Sequence, residues 1–256
     1  MRIVSRNVDM SQRQAALIAG LAYVALSVLA LFANFFVRER LVDRDDPAAT
    51  INNIAGSEVL FRTGIAAFLL VFILDVVVAW ALYVFFSRTS RELSLLAAWF
   101  RVVYAAVAST ALLSLLVALQ LVDATGYAAA LPVVERNAQA MLFLDAYDYG
   151  WSIGLVIFGA HLLTLGFVIM KATYAPRIMG PLVALAGSGY LVGNLASILL
   201  PSYEDYAGVF LLLMAVLAVP GEFWLMGWLL FRAGKAKEPE EPLPGVRSVE
   251  PQPVAS

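Results

Sequence analysis

The stretch MLFLDAYDYGWSIGLVIFGAHLLTLGFVIM, residues 141–170, decides what kind of chain this is. As a helix rising 1.5 Å per residue it would extend ~45 Å, more than the ~30 Å hydrocarbon core of a bilayer. Yet it carries two carboxylates, Asp145 and Asp148, and the chain's single histidine, His161. Ionisable groups in a spanning helix are costly unless they find partners or a wet cavity. The remaining residues are therefore read as the structure that supplies those partners.

Working outward, composition agrees with a membrane setting. Of the 256 residues, 62% are hydrophobic and only 14% charged, and the mean hydropathy is +0.83, far from an ordinary soluble domain. The formal net charge of −2 gives no footprint for nucleic acid. Absence of cysteine excludes disulfides, thiolate metal sites and a cysteine nucleophile. One histidine excludes a multi-histidine metal centre, and no cofactor is expected. Arg2, Arg6 and Arg13 precede the apolar run 15–36. That run is too long for a signal-peptide core and lacks an A-x-A cleavage site, so it is expected as a retained helix.

Six apolar runs are long enough to span: 15–36, 59–86, 93–122, 141–170, 178–200 and 207–231. They lack the alternation of barrel strands, so the expected fold is an all-α integral membrane bundle of six transmembrane helices. Eleven Lys and Arg residues flank one side, in 1–14, 87–92, 171–177 and 232–256. Four flank the other: Arg38, Arg40, Arg44 and Arg136. The excess places both termini in the cytoplasm. The expected organisation is a cytoplasmic N-terminus, 1–14, a transmembrane domain, 15–232, and a disordered cytoplasmic tail, 233–256, rich in Pro and Glu. Asp46-Pro47 and Leu131-Pro132 look like helix starts, each opening a short helix in an external loop. Small residues mark close helix contacts. Gly150 and Gly154 lie on the fourth run, while Gly180, Ala184, Ser188 and Gly189, Gly193, Ser197 form two ridges on the fifth, which is expected to be central.

Counted from the cytoplasmic edge, Asp75, Arg101, His161 and Glu222 fall at a depth of ~12–17 Å, on the second, third, fourth and sixth runs. Arg62, Asp145, Asp148 and Asn194 lie ~5–11 Å inside the outer edge. In the inner layer Arg101 is the counter-ion for Asp75, Glu222 or both, and His161 is placed to share a proton. Pro220-Gly221 should kink the sixth helix beside Glu222. In the outer layer Arg62 is expected to pair with Asp148 or Asp145, among the interfacial aromatics Tyr147, Tyr149 and Trp151. The inner layer also has a plainer reading, polar glue between helices, and the outer layer is read first as an aromatic belt with a snorkelling ion pair.

Catalytic motifs find little support. Gly187-Ser188-Gly189 with His161 has the serine after the histidine, the reverse of rhomboid-type proteases. Tyr147-Asp148 resembles one half of an intramembrane aspartyl protease whose G-x-G-D half is absent. There is no P-loop or dinucleotide fingerprint.

Several segments, taken in order, resemble a bacterial multi-pass membrane family catalogued as domain of unknown function 4386. They are Leu60-Phe61-Arg62 leading to Asp75, Leu96-Ala97-Ala98-Trp99-Phe100-Arg101 with Tyr104, and Phe158-Gly159-Ala160-His161. Pro176-Arg177-Ile178-Met179-Gly180 and Gly221-Glu222 complete the set. The resemblance spans roughly residues 10–232 and implies a membrane protein with no established activity. Its motif positions include Asp75, Arg101, His161 and Glu222.

The expected function is binding or transport of a small solute, ion or lipid at Asp75, Arg101, His161 and Glu222, in a bacterial plasma membrane, with membrane lipid as the surrounding partner. Asp75 and Glu222 would be proton- or cation-responsive carboxyls, Arg101 their counter-ion or an anion anchor, and His161 a pH-sensitive partner. Two readings from other classes stay open: a membrane-embedded lipid-modifying enzyme using Glu222 or His161 as acid or base, and a non-catalytic membrane partner or regulator. An enzyme is the less favoured, and oligomeric state is not legible.

Overall fold

Ser11 opens the first helix with a reciprocal cap. Its hydroxyl accepts from the Gln14 amide, and the Gln14 side chain accepts from the Ser11 amide, so two amides with no helical partner are satisfied. From there the computed structural model, which describes residues 10–233, is helical. The helices are α1 (Gln12–Leu31), α2 (Glu39–Leu41), α3 (Pro47–Gly56), α4 (Glu58–Phe86), α5 (Arg91–Val122), α6 (Val133–Lys171), α7 (Met179–Leu199) and α8 (Tyr203–Phe231). A π-helical stretch, Phe32–Arg38, joins α1 to α2 without a break. No strand occurs among the described residues. The tail expected to be disordered lies outside the described residues except for Ala233, as do residues 1–9.

Six of these segments are long and apolar enough to cross a membrane: Gln12–Leu41, Glu58–Phe86, Arg91–Val122, Val133–Lys171, Met179–Leu199 and Asp205–Phe231. Only 18–56% of the most apolar window of each is buried inside the protein. The remainder, such as Leu69, Leu70, Ile73 and Trp80 on α4, faces outward. An apolar belt of that extent is stable only against lipid. The chain is a multi-pass membrane protein.

The spans form a ring. Each packs on the next in sequence, and α1 closes the ring against α8. Inside it, Phe68 and Phe72 of α4 meet Trp151 of α6 at ring separations of 5.4 and 6.0 Å, so the centre is filled by aromatic side chains. At the closing seam Arg13 Nη1 donates to the Ala233 carbonyl at 3.0 Å. Gly20 lies so close to Leu230 that an added Cβ would come within 2.7 Å of its side chain. Both ends of the described chain thus lie at one end of the bundle.

Backbone contact, rather than bulky interdigitation, joins α6 to α7. A Cβ on Gly187 would lie 2.6 Å from the Gly159 carbonyl oxygen, and one on Gly166 would lie 2.7 Å from the Ala184 amide nitrogen. Such approach is how helices gain dispersion contacts where lipid removes the hydrophobic drive. The other ridge of α7, Gly189 and Gly193, meets Leu217 and Met214 of α8. The two ridges face two neighbours, so α7 sits between α6 and α8 in the ring and not at the centre. Gly150 and Gly154 of α6 pack on Ala111 and Ala108 of α5.

The loop after the first span is tightly built. The Asp43 carboxylate accepts from the Asp45 and Asp46 amides, and Thr50 Oγ1 donates to the Asp43 carbonyl. Asp46 then caps α3 by accepting from the Ala49 amide, with Pro47 in the first turn, as the sequence leads one to expect. The second proline start differs. Pro132 precedes α6 directly, and that helix runs unbroken for 39 residues, about 58 Å. The segment expected as a separate surface helix is the projecting first part of the span, and a short 3₁₀ turn, Gly126–Ala130, precedes it.

One backbone feature there makes a prediction. Ala124, just past α5, has φ 52°, the left-handed conformation that helix ends assign to glycine. Replacing Ala124 by Gly removes a Cβ clash costing about 1 kcal/mol. Ala124→Gly is expected to raise the unfolding midpoint in detergent; an unchanged or lower midpoint would contradict this account of the turn.

Candidate functional site

Arg101, on α5, is 1% exposed, and its guanidinium is held from three other spans. Nε and Nη2 both donate to Asp75 Oδ1 of α4, at 2.9 and 2.5 Å. Nη1 donates to the Tyr23 hydroxyl of α1 at 2.6 Å and lies 3.2 Å from His161 Nε2 of α6. Below the guanidinium, the rings of Tyr23 and Phe158 lie 4.6 and 5.3 Å from Cζ, where a ring's quadrupole attracts a cation.

Geometry fixes the histidine's protons. His161 Nδ1 lies 2.8 Å from the Ala97 carbonyl oxygen, which can only accept, so Nδ1 carries the hydrogen. Nε2 faces a guanidinium, which can only donate, so Nε2 presents its lone pair. His161 is the neutral tautomer with both ring nitrogens engaged. Asp75, Arg101 and His161, picked out by depth, are joined in one buried network with Tyr23.

Glu222 stands apart. Its Oε1 accepts from the Tyr190 hydroxyl of α7 at 2.9 Å, and it makes no ion pair among the described residues. The charges of Arg101 and Asp75 still reach Glu222, and the two groups also adjoin through a ring. Phe158, beside Arg101, lies 5.2 Å edge-on from Tyr190.

Glu222 is half-buried because it lines a cleft of about 510 Å³. α1 and α8 touch at Gly20 and Leu230, then part toward the loop end of the bundle, and the cleft opens between them. Its walls are the face of the first span from Tyr23 on α1 to Glu39 at the start of α2 and the α8 face from Ala218 to Met226; Trp151, Leu155 and Tyr190 form its floor. Two irregularities sit in those walls: the π-helical stretch Phe32–Arg38, and Pro220 inside α8. A π turn and an internal proline both disturb the regular helical ladder. Tyr23 belongs to both features. It accepts from Arg101, and its own hydroxyl proton has no acceptor among the described residues.

The second set of expected residues does not gather. Arg62 pairs with Glu58 one turn earlier at 2.6 Å and with Asp123 at 3.5 Å, instead of Asp145 or Asp148. Burial, with Glu58 adding to it, pushes the Asp123 carboxyl up from its ordinary value, and Arg62 opposes the rise. Asp148 is clamped by Arg38 and Arg44, and Arg44 also reaches Asp145 at 3.4 Å. The reason is that the π-helical turn and the Asp43 turn bring these loop-end arginines over α6. Asn194 Nδ2 donates within α7 to the Tyr190 carbonyl and toward Met214 sulfur. Through the Arg38 and Arg44 pairs the layer ties the loop to α6.

Tyr23, Tyr190 and Glu39 were not singled out by sequence reasoning. A signal for the tyrosines existed: a phenol in the middle of a span, away from the interfacial belt, needs a polar partner. Glu39 lay among the loop charges and carried no such mark.

A family profile described as "Domain of unknown function (DUF4386)" matches residues 18–233. A curated protein of Archaeoglobus fulgidus, described as an uncharacterized protein, is 30% identical over 174 residues, covering 68% of this chain and 86% of that protein. No solved structure matches.

Proposed function

The chain belongs to the DUF4386 family, and we propose that this member binds a membrane-dissolved amphiphile in the cleft between α1 and α8. The observation that carries this reading is the cleft itself. It has apolar walls, is reached sideways between two spans, and has a carboxyl–tyrosine pair on its inner surface. Pockets of this size with a few converging polar groups suit small ligands. The network of Asp75, Arg101 and His161 acts from behind: its strong donors and acceptors are spent on one another, and what it presents to the cleft is Tyr23. A lipid-modifying reaction would have to run on Glu222, since both nitrogens of His161 are engaged.

The reading extends to transport through the two wall irregularities, the π turn and Pro220, where the walls would flex to pass a ligand along. The excess of basic flanks puts the end bearing the termini in the cytoplasm. The membrane is taken to be a bacterial plasma membrane.

The test is photolabelling of the protein in phosphatidylcholine nanodiscs with a diazirine-bearing dodecanol, adducts being mapped by mass spectrometry. Adducts are expected to concentrate on residues 26–35 and 218–226 and to disappear in a folded Ser27→Trp variant, whose indole fills the cleft. Adducts spread evenly over the outward faces of all spans would overturn the proposal.

A further inference from the structure

The cleft's charge pattern says what kind of head group it takes. We propose that its ligand is a cationic amphiphile, an amine-bearing molecule with an apolar tail, with Glu222 as the counter-ion. This rests on the cleft being a ligand site. Among the described residues the only charged side chains lining the cleft are Glu39, at its loop end, and Glu222, deep inside. Neither forms an ion pair with a described residue. The nearby cations are already taken: Arg101 by Asp75 and Arg38 by Asp148.

Glu222 also has an oxygen to offer. Tyr190 donates to Oε1, while Oε2 has no partner among the described residues and is not sealed from the cleft. A carboxylate on an apolar wall is costly until a cation or a strong donor reaches it. The surrounding groups favour a cation. The rings of Tyr23, Trp151 and Phe223 line the same cleft, and aromatic faces attract ammonium groups most strongly where water is excluded. An ammonium can donate to Oε2 while its alkyl tail lies along Leu26, Ala30 and Val219 toward lipid. An anionic amphiphile would meet two like charges and, among the described residues lining the cleft, no basic one. A metal ion would find no set of three carboxylate or imidazole ligands among the described residues.

The experiment compares three diazirine probes with one twelve-carbon tail: the amine, the alcohol and the carboxylate. Binding to the full chain in phosphatidylcholine nanodiscs is measured with mapped adducts. The amine is expected to label the cleft with about 10-fold higher apparent affinity than the alcohol, and the carboxylate not at all. Glu222→Gln, which keeps the shape, should bring amine and alcohol labelling, compared within the same variant, to the same level. Glu222→Asp should retain part of the amine's advantage, and Glu39→Gln should reduce it less than Glu222→Gln does. Equal labelling by alcohol and amine, or an amine preference that survives in a folded Glu222→Gln protein, overturns the cationic assignment and leaves the cleft standing. Failure of all three probes to label the cleft overturns the cleft reading itself.

Discussion

Arg101→Met is expected to be among the most damaging single substitutions in the chain, lowering stability by about 3–5 kcal/mol. The substitution strands the Asp75 carboxylate, 2% exposed, with no described cation beside it. It also removes the donor to Tyr23 and the partner of His161 Nε2. Asp75→Leu should be about as costly, because it leaves the guanidinium uncompensated among apolar side chains; even the lenient insertion scale assigns ~2.5–3.5 kcal/mol to a charge at the centre of a span. The double variant Asp75→Leu/Arg101→Met removes both charges together and should lose less than either single change. Reversible unfolding in mixed micelles reads all three. Additive losses would mean that Asp75 and Arg101 are not coupled across α4 and α5 as described.

Helix depth was legible from the chain, and rotation about each helix axis was not. Asp75, Arg101 and His161 were placed at one level by counting residues, and they meet. Glu222 was placed at the same level, yet it looks into the cleft, because depth says nothing of which way a side chain faces. That direction depends on which helices are neighbours, and the ring order arises from backbone contacts such as Gly187 on Gly159 that many small-residue ridges could have made. The same limit explains the fifth span. Its two glycine ridges were read as a sign of centrality, and they instead face one neighbour each. The π-helical stretch Phe32–Arg38 had no sequence mark, and without it Arg38 could not be placed over Asp148. Arg62 was assigned to the wrong partners for a local reason: Glu58, one turn before it, satisfies it along its own helix.

The second large effect concerns that packing. In Gly187→Ala the new methyl would sit 2.6 Å from the Gly159 carbonyl oxygen and the Leu163 amide nitrogen. Neither is the end of a flexible side chain, so α6 and α7 must separate. Overpacking of this kind costs about 1–3 kcal/mol, and the effect should spread to Tyr190, which α7 positions, and through its hydrogen bond to Glu222 of α8. Gly227→Ala is the control. Nothing lies within 4 Å of its added Cβ, so the usual helical gain of about 0.5–1 kcal/mol on replacing glycine should appear. Thermal unfolding of the two variants side by side separates steric contact from helix propensity. Equal behaviour of the pair would contradict the backbone-to-backbone packing of α6 on α7.

The most direct measurement of the central claim is a density map of the full chain in nanodiscs prepared with dodecylamine, at a resolution that shows acyl chains. The account predicts elongated density entering between α1 and α8, with its polar end within hydrogen-bonding distance of Glu222 and its tail directed to lipid. A seam closed along its whole length by contact between α1 and α8, or a Glu222 side chain turned inward onto Arg101, would contradict it.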